Sequence, residues 1–264
     1  MHRQRVLSSL LLIPAFLLLV HFGSAFHFSL LVGLVIALAA WEFSRLCPEG
    51  TDPGLSLVTI LGALAWHAAV TWGGGAAGVG AAVGGVAWVR ATLVPAAFRV
   101  GLLQGAWILL GVTYVGGLLS CASLLRALPE GRQFIYYLTF AIWAGDTGAF
   151  YLGSRFGRRP LAPRISPKKT IEGALGGLAA TIVVALAGSS QVWPRLSWDK
   201  AAWVGLVLGV AGIIGDLCES VVKRGAAAKD SGSLIPGHGG VLDRLDSLMF
   251  AGPVLYVLVW LGWV

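Results

Sequence analysis

The chain has 264 residues, of which 57% are hydrophobic and only 12% are charged. A soluble domain carries about 25% charged residues because its surface must be wetted, so this composition excludes an ordinary soluble domain. The net charge of +7 would suit nucleic acid. Membrane proteins, however, gather Lys and Arg on cytoplasmic loops whatever their function, and we expect no nucleic-acid partner.

Nine apolar segments are long enough to cross the hydrocarbon core of a bilayer, which takes roughly 18 residues or more. Backbone groups in lipid must be hydrogen-bonded within their own segment, so these spans are expected to be helices. The sequence therefore predicts an all-α, polytopic integral membrane protein with about nine transmembrane helices. The spans cover residues 5–22, 28–45, 55–72, 76–98, 101–121, 133–153, 171–190, 200–220 and 247–264.

The distribution of the 19 Lys and Arg residues predicts the orientation. With a cytoplasmic amino terminus, only Arg126, Arg132, Arg195 and Lys200 lie outside, and the positive-inside rule favours this arrangement. We therefore expect a multi-pass inner-membrane protein whose loops 154–170 and 221–246 are cytoplasmic. Residues 1–127 are interpreted as structural helices that could also carry a dimer contact, and residues 128–264 as the catalytic region.

Two amino-terminal features have competing interpretations. The first 25 residues resemble a signal peptide that ends at Gly23-Ser24-Ala25, but the long apolar run favours a retained helix. Between Trp72 and Trp88, glycines at four-residue spacings favour close helix packing over a phosphate-binding turn, because the turn motif and a preceding strand are missing. The three cysteines lack a metal-type spacing and are interpreted as small apolar residues.

Acidic residues in or beside the later spans are the candidates for chemistry. A charged side chain at the centre of a membrane helix costs about 2.5–3.5 kcal/mol on insertion scales, which favours a functional role. Asp216 and Glu219 are three residues apart, as are Asp243 and Asp246, so each pair lies on one helical face. Together with Asp146 they would repel one another unless a cation were present, and hard oxygen ligands suit Mg²⁺.

Cations and glycines accompany these acids in the two long loops. Glycines permit close backbone approach, and successive amide groups can form a nest for an anion. Acids for a metal, cations for phosphate and a Gly-rich turn together favour phosphoryl or nucleotidyl transfer. The cations are Arg158, Arg159, Arg164, Lys168, Lys169, Lys223, Arg224 and Lys229, and the turn is Pro236-Gly237-His238-Gly239-Gly240.

Four blocks between residues 143 and 247 resemble the motifs of the phosphatidate cytidylyltransferase family. The first three are Ala144-Gly145-Asp146-Thr147-Gly148-Ala149, Ser166-Pro167-Lys168-Lys169-Thr170-Ile171-Glu172-Gly173 and Gly215-Asp216-Leu217-Cys218-Glu219-Ser220. The fourth runs from Ser220 through Lys223-Arg224 and Lys229-Asp230 to Ile235-Pro236-Gly237-His238-Gly239-Gly240-Val241-Leu242-Asp243-Arg244-Leu245-Asp246. Gly145 and Phe150 depart mildly from the first motif, and the amino-terminal half matches only as a series of apolar spans.

The resemblance implies a nine-helix membrane enzyme that makes CDP-diacylglycerol and pyrophosphate from CTP and phosphatidic acid with Mg²⁺. It also implies a second cation, either K⁺ or Mg²⁺, and family members often form homodimers. The implied metal ligands are Asp146, Asp216, Glu219, Asp243 and Asp246.

The remaining roles follow from the implied reaction. An anionic phosphate oxygen of phosphatidate attacks the α-phosphorus of CTP, so a strong general base is not needed. His238 is interpreted as a hydrogen-bond donor to phosphate, with a structural role in the turn as the alternative, and Asp230 as a residue that orients Lys229 and Arg224. The catalytic set is Asp216, Lys223, Arg224, His238, Asp243 and Asp246. The substrate-binding set is Ser166, Lys168, Lys169, Thr170, Lys223, Arg224, Lys229, Gly239, Gly240 and Arg244.

Other classes of membrane protein fit parts of the pattern. An ion-coupled transporter also has acids near span ends, but it predicts polar residues deep in several spans of both halves. A CDP-alcohol phosphotransferase would carry a D-G-x-x-A-R motif, which is missing here. A lipid or polyprenol kinase differs in transferring a single phosphate, and a structural scaffold would not need the gathered acids and cations.

Overall fold

The computed structural model describes residues 2–73, 75–93, 97–235, 237 and 239–264, without the side chains of residues 2–7 and 9. Ten α-helices account for most of these residues. They are α1 (His2–Phe22), α2 (Ala25–Arg45), α3 (Pro53–Trp72), α4 (Ala76–Leu93), α5 (Phe98–Gly111), α6 (Leu118–Ala127), α7 (Gly131–Phe156), α8 (Ile171–Gln191), α9 (Trp198–Gly225) and α10 (Asp246–Trp260). A π-helical segment, Val112–Gly117, joins α5 to α6, and a 3-10 turn, Leu242–Arg244, precedes α10. The predicted all-α membrane fold is confirmed, with one small hairpin in addition.

Each predicted span falls on a helix in the described part of the chain. Six helical segments there have both the length and the hydropathy to cross a bilayer: Ala25–Arg45, Pro53–Trp72, Ala76–Leu93, Phe98–Ala127, Ile171–Gln191 and Trp198–Gly225. Leu10–Phe22 and Asp246–Trp260 are shorter apolar helices. The number of nine membrane crossings therefore stays a prediction, and residues 94–96 of the fourth predicted span lie outside the described residues.

The chain divides into two compact units that are not contiguous in sequence. The first unit contains Met1–Leu124 and Gly225–Arg244, and the second contains Leu125–Arg224 and Leu245–Val264. Residues 225–244, assigned to the catalytic region by sequence, thus pack with the amino-terminal helices. The functional division at residue 127 stays a prediction.

The core of the first unit is built around the carboxyl end of α2. Phe43 is buried and its ring stacks on that of Trp107, with 4.7 Å between the ring centroids. The Trp107 indole also donates a hydrogen bond of 3.0 Å to the Phe43 carbonyl oxygen. A Cβ on Gly111 would lie 2.9 Å from Phe43 Cδ1, so the end of α5 approaches α2 closely because that residue is glycine.

One buried histidine in this unit is hydrogen-bonded across helices. His67 of α3 contacts Ser120 Oγ at 2.9 Å through Nδ1 and Ser29 Oγ at 3.1 Å through Nε2. This arrangement joins α3 to α6 and to α2. Unpaired polar groups are costly in a membrane, so the network favours one register of these helices.

Asp52 caps the amino terminus of α3 in the first unit. Its Oδ1 accepts hydrogen bonds from the amides of Gly54 at 2.8 Å and Leu55 at 3.0 Å, and it pairs with Arg90. Burial alone would raise the pKa of Asp52, but the Leu55 amide and the Arg90 guanidinium together hold that pKa below its ordinary value. The cap and the ion pair thus fix the loop between α2 and α3 to α4.

Glycines bring α7 and α8 together in the second unit. A Cβ on Gly148 would lie 2.9 Å from the Gly176 carbonyl oxygen, and one on Gly177 would lie 2.8 Å from the Gly145 carbonyl oxygen. Helices in lipid associate by such close backbone approach, since small residues allow extensive van der Waals contact. The seam holds α7, which carries Asp146, against α8.

A two-stranded hairpin connects α7 to α8. Strands β1 (Pro160–Ala162) and β2 (Ser166–Thr170) are antiparallel, and α8 begins directly after β2. Thr170 caps α8 by accepting a hydrogen bond of 3.1 Å from the Gly173 amide. Glu172 accepts hydrogen bonds from the amides of Arg158 at 3.0 Å and Arg159 at 3.2 Å, so the hairpin is fixed at both ends to the start of α8.

Candidate active site

Three carboxylates of the second unit form a compact cluster. Asp216 and Glu219 lie one turn apart on α9, and Asp246 is the first residue of α10. One oxygen of each lies within 4.8 Å of the others. Glu219 is fully buried, whereas Asp216 and Asp246 are partly exposed, so the cluster has one closed side and one open side.

Gly215 allows α9 to approach the start of α10. A Cβ at this position would collide with the carbonyl oxygen of Asp246 and would lie 3.0 Å from Phe250 Cδ2. Because a backbone atom cannot move aside as a flexible side chain does, only glycine fits here without displacing the helix. The glycine before Asp216 therefore determines how closely Asp246 approaches the two acids of α9.

Two lysines neutralise part of the charge of this cluster. Lys169, at the end of β2, forms an ion pair with Asp216. Lys223 donates a hydrogen bond of 2.6 Å to Glu219, one turn back on α9. Carboxylates that are gathered away from water need such partners, because each uncompensated charge carries a large desolvation cost.

Asp146 adjoins the cluster through Ser247. The Ser247 hydroxyl donates a hydrogen bond of 3.1 Å to Asp146 on α7, and the Ser247 amide donates one of 2.8 Å to the side chain of Asp246. Ser247 is buried and was not singled out by the sequence analysis. A serine directly after a candidate acid is too common for its sequence position to indicate this role.

The hairpin carries several predicted substrate-binding residues and is joined to α9. The Arg224 guanidinium donates a hydrogen bond of 3.2 Å from Nε to the Ile165 carbonyl oxygen in the hairpin turn. Ser166 begins β2, Thr170 caps α8, and Lys168 is exposed. Lys169 and Arg224 thus connect the hairpin to the helix that bears Asp216 and Glu219.

Asp243 lies in the first unit, where it accepts hydrogen bonds from the Gly-rich segment, which we define as residues 231–243. Its Oδ2 accepts hydrogen bonds from the amides of Ser231 at 3.0 Å and Gly240 at 2.9 Å. A Cβ on Gly239, whose φ is +85°, would lie 3.1 Å from the same oxygen. The Gly240 amide, predicted to contribute to an anion nest for substrate, therefore faces a carboxylate of the chain itself.

Three further predicted residues lie in the first unit. Lys229 and Asp230 are exposed after the end of α9, and Arg244 is exposed in the 3-10 turn. His238 lies outside the described residues, so its predicted contact with phosphate stays a prediction.

Glu42 is a residue of this region that the sequence analysis missed. It lies near the end of α2, is fully buried, and accepts a hydrogen bond of 2.9 Å from the Leu242 amide. The signal in the sequence is one acid within an otherwise apolar span, which is costly in lipid. That signal was present, but the partner lies 200 residues away along the chain and could not be identified from spacing.

The donor set of the cluster fits a hard divalent cation. Mg²⁺ prefers oxygen ligands and binds through a few carboxylates together with water and substrate phosphates. Asp216, Glu219 and Asp246 supply such carboxylates within the separation given above, and the lysine ammonium groups beside them suit phosphate oxygens. The arrangement can therefore support the binding of a polyphosphate with its metal.

Comparison with known proteins identifies the family. The model of the cytidylyltransferase family matches residues 3–261, nearly the whole chain. The chain belongs to the cytidylyltransferase family. The prediction of a nucleotidyltransferase enzyme is thereby confirmed, and so is the resemblance noted in the sequence motifs.

Curated members of this family are similar over large parts of the chain. The phosphatidate cytidylyltransferase of Pseudomonas aeruginosa is 36% identical over 277 aligned positions, which cover 100% of this chain and 99% of that protein. The enzyme of the same name from Staphylococcus aureus strain COL is 40% identical over 167 positions, or 61% of each chain. That of Synechocystis is 48% identical over 125 positions, covering 46% of this chain and 42% of the relative. Similarity to the bacterial enzymes thus includes both units of the fold.

Proposed function

We propose that the protein is a phosphatidate cytidylyltransferase that converts CTP and phosphatidic acid to CDP-diacylglycerol and pyrophosphate at the cytoplasmic face of the bacterial inner membrane. The observation that carries this proposal is the cluster of Asp216, Glu219 and Asp246 with its two lysines, in a chain of the cytidylyltransferase family. The full-length similarity to a curated enzyme of that name supports the choice of substrates.

The proposed reaction joins two anions in one displacement. A phosphate oxygen of phosphatidate forms a bond to the α-phosphorus of CTP, and the bond from that phosphorus to the β-phosphate oxygen breaks. Pyrophosphate leaves with the bonding electron pair. Because the lipid phosphate is already ionised near neutral pH, the protein mainly positions the two reactants and offsets the charge on the leaving group.

Asp216, Glu219 and Asp246 would hold Mg²⁺, with Asp146 as a further candidate ligand, and Asp243 is a candidate ligand for a second cation, K⁺ or Mg²⁺. A bound divalent ion supplies charge neutralisation and orientation to the reacting phosphates. The carboxylates of α9 suit this task because Lys223 and Lys169 reduce their mutual repulsion before substrate enters.

The cations beside the cluster would bind the phosphates. Lys169 and Lys223 exchange part of their contact with carboxylate for contact with phosphate oxygens, which form strong charge-assisted hydrogen bonds with ammonium groups. Arg224 positions the hairpin through Ile165. His238 is proposed as a donor to phosphate. The proposed binding set is completed by Ser166, Lys168, Thr170, Lys229, Gly239, Gly240 and Arg244.

The membrane setting suits one soluble and one lipid substrate. Six helical segments of the described residues, among them α8 directly after the hairpin, fit a bilayer, and phosphatidate would enter from the lipid with its headgroup at the level of the acids. The cations of the hairpin attract anionic headgroups, at about 1 kcal/mol for each Lys or Arg near the surface. A homodimer, as often found in the family, is part of the same proposal.

Purified protein should make CDP-diacylglycerol from CTP, dioleoyl phosphatidate and Mg²⁺, detected by mass spectrometry. Asp216→Asn and Asp246→Asn should each lower the rate by more than about 100-fold, the usual scale for losing an electrostatic contact to the reacting groups. Asp199→Asn is the matched control, since Asp199 is an exposed acid in the first turn of the same helix.

Each outcome separates one class of enzyme from another. Transfer of a single labelled phosphate to lipid, instead of labelled CMP, would identify a kinase and contradict the proposal. Near-normal activity of both cluster variants in folded protein would remove the cluster from the reaction.

A further inference from the structure

The Glu42 side chain contacts the Gly-rich segment within the first unit. Its Oε2 accepts hydrogen bonds from the Leu242 amide at 2.9 Å and from the Ser231 hydroxyl at 3.3 Å. Glu42 comes from α2, far from this segment in sequence, and has no exposed surface. A buried carboxylate in a membrane helix is expensive unless its hydrogen bonds offset the cost, so its place in the fold requires a specific benefit.

The glycines around Glu42 are there because its carboxylate fills the space of their missing side chains. A Cβ on Gly232 would collide with Glu42 Oε1 and would lie 2.8 Å from its Cδ. A Cβ on Gly240 would lie 2.6 Å from Oε2 and 2.8 Å from Oε1. Two glycines of the segment are therefore complementary in shape to one acidic side chain of α2.

The groups that bind Glu42 also set the position of Asp243. Ser231 donates its hydroxyl to Glu42 and its amide to Asp243 Oδ2. Gly240 packs against Glu42 and donates its amide to the same Asp243 oxygen at 2.9 Å. Leu242, whose amide binds Glu42, is the residue immediately before Asp243. Ser231 and Gly240 thus contact both Glu42 and Asp243, and Leu242 contacts Glu42 and is adjacent to Asp243 in the chain.

We infer that Glu42 is a positioning residue for cytidylyl transfer: its carboxylate fixes residues 231–232 and 240–242 and thereby the orientation of the Asp243 carboxylate. The catalytic part of this inference rests on the proposed function, whereas the fixing of the segment does not. Helix α2, which carries no motif of the family, then holds Asp243 in position within the first unit.

Hydrogen–deuterium exchange in lipid nanodiscs tests the fixing of the segment without reference to activity. Glu42→Leu keeps much of the volume but removes the acceptor, so the amides in peptides covering residues 231–243 should exchange about tenfold faster or more. Glu42→Gln retains an amide oxygen for Leu242 and Ser231 and should exchange nearly as the wild type does. Ser44→Ala is the matched control, because Ser44 is equally buried on α2 but donates to Ser56 of α3.

Steady-state kinetics on the same proteins test the catalytic part. Glu42→Leu should lower kcat for CDP-diacylglycerol formation with a smaller change in KM for CTP, and Glu42→Gln should restore most of the rate. Ser44→Ala should leave both constants near the wild-type values. A general loss of folding would instead reduce the amount of active enzyme in the three variants according to their stability, with no such pattern.

Gly232→Ala gives an independent approach should Glu42→Leu fail to insert. The new Cβ meets Glu42, so this variant should accelerate exchange in residues 231–243 and lower the rate. In the double variant Glu42→Ala/Gly232→Ala the collision is gone, so Gly232→Ala should add little to the loss that Glu42→Ala causes by itself. Fully additive losses would show that the two residues do not act together and would overturn the inference.

The remaining outcomes are distinguishable. If folded Glu42→Leu protein exchanges at the wild-type rate, the inference about Glu42 is overturned and the proposed function is unaffected. Faster exchange with a wild-type rate overturns the positioning role, since the orientation of the segment would then not matter to the reaction. A wild-type protein that makes no CDP-diacylglycerol contradicts the proposed function, while the exchange data still decide whether Glu42 fixes the segment.

Discussion

Two ammonium groups pair with two of the three carboxylates of the cluster in the second unit. Lys169 pairs with Asp216 and Lys223 pairs with Glu219, while Asp246 lies within 4.8 Å of both acids. A divalent cation entering this cluster competes with the lysines for the same oxygens. In the proposed site, metal binding would therefore be linked to the release of lysine toward phosphate, and each lysine would affect the affinity for the ion as well as for the nucleotide.

Lys169→Met should strengthen the binding of Mn²⁺ in the absence of nucleotide, because one competing positive charge is removed. It should at the same time slow cytidylyl transfer, because a phosphate contact is lost. Electron paramagnetic resonance of free Mn²⁺ in nanodisc samples measures the first effect, and CDP-diacylglycerol formation measures the second.

Lys168→Met is the control for the metal measurement, since Lys168 is exposed on the same strand. Equal Mn²⁺ affinity in the wild type and the Lys169 variant would show that this lysine does not compete with the ion.

At the scale of single residues, the sequence predicts the helix-face relation within α9 but not distant partners. Asp243 lies in the 3-10 turn Leu242–Arg244 and not in α10, so the prediction that it shares one helical face with Asp246 is wrong. The i, i+3 spacing of Asp216 and Glu219 is sufficient to place both on one face of α9, where the structure has them. The hydrogen bond from Ser247 to Asp146 and those from Leu242 and Ser231 to Glu42 depend on tertiary contacts. Local pattern contains no information about which helices meet.

The packing of helices in the second unit depends on where a side chain is missing. Gly205 and Gly215 of α9 face different neighbours: a Cβ on the first would lie 2.9 Å from Ile182 Cα in α8, and one on the second would meet the start of α10. Because these contacts are with backbone atoms, the neighbouring helix would have to move as a unit. Added methylenes in tight packing cost about 1–3 kcal/mol for this reason.

Gly215→Ala should displace the start of α10 and with it Asp246. We expect a lower unfolding temperature in detergent and a loss of transfer activity larger than the loss of stability alone explains. Gly225→Ala, at the end of the same helix, is the control, because its Cβ would have no heavy atom of the described residues within 4 Å apart from its chain neighbours and the nearby backbone of its own helix.

The measurements are circular dichroism during heating and the rate of product formation per folded enzyme. Wild-type activity in stable Gly215→Ala protein would show that the approach of α10 to α9 tolerates an extra methyl group.

At the scale of elements, the length of an apolar run predicts the membrane helices well, whereas no pattern in the sequence predicts the two short strands. The spans predicted at 171–190 and 200–220 coincide with α8 and α9 apart from a few terminal residues. The hairpin was interpreted as a loop, since Pro160 and Pro167 and the lack of a two-residue apolar alternation conceal β1 and β2. The π segment at Val112–Gly117 also has no signature in the apolar pattern, because the whole run 98–127 is apolar.

The orientation of the molecule in the bilayer is proposed from its cations. Arg164, in the hairpin, is expected in the cytoplasm, and Arg195, between α8 and α9, is expected outside. Both residues are exposed, although Arg195 also pairs with Glu130.

Cysteine labelling tests this orientation. In a background with Cys47, Cys121 and Cys218 changed to Ala, a membrane-impermeant maleimide should label Arg195→Cys in intact spheroplasts. Arg164→Cys should react only after the membrane is permeabilised. The reverse pattern would invert the topology and place the hairpin outside.

The two compact units could not be foreseen from the order of the spans. The motifs in residues 221–246 accompany Asp216 and Glu219 and predict that this stretch belongs to the catalytic region. The contacts of Glu42 with Ser231 and Leu242 instead join most of this stretch to α2. Proximity in sequence was a poor guide here, since a polar loop can pack against any helix whose end presents a matching acceptor.

The chain passes between the units three times, near residues 124, 225 and 244, so neither unit is a continuous piece of polypeptide. A fragment that ends at residue 124 would leave Glu42 without the Leu242 and Ser231 donors, so this buried carboxylate would lose both of these hydrogen bonds. During synthesis the amino-terminal helices are in the same situation until the last fifth of the protein has emerged. The Glu42 carboxylate therefore lacks these two donors until the carboxyl-terminal segment has been synthesised. We expect that chains truncated late in the sequence are degraded in full by membrane quality control, including their amino-terminal half.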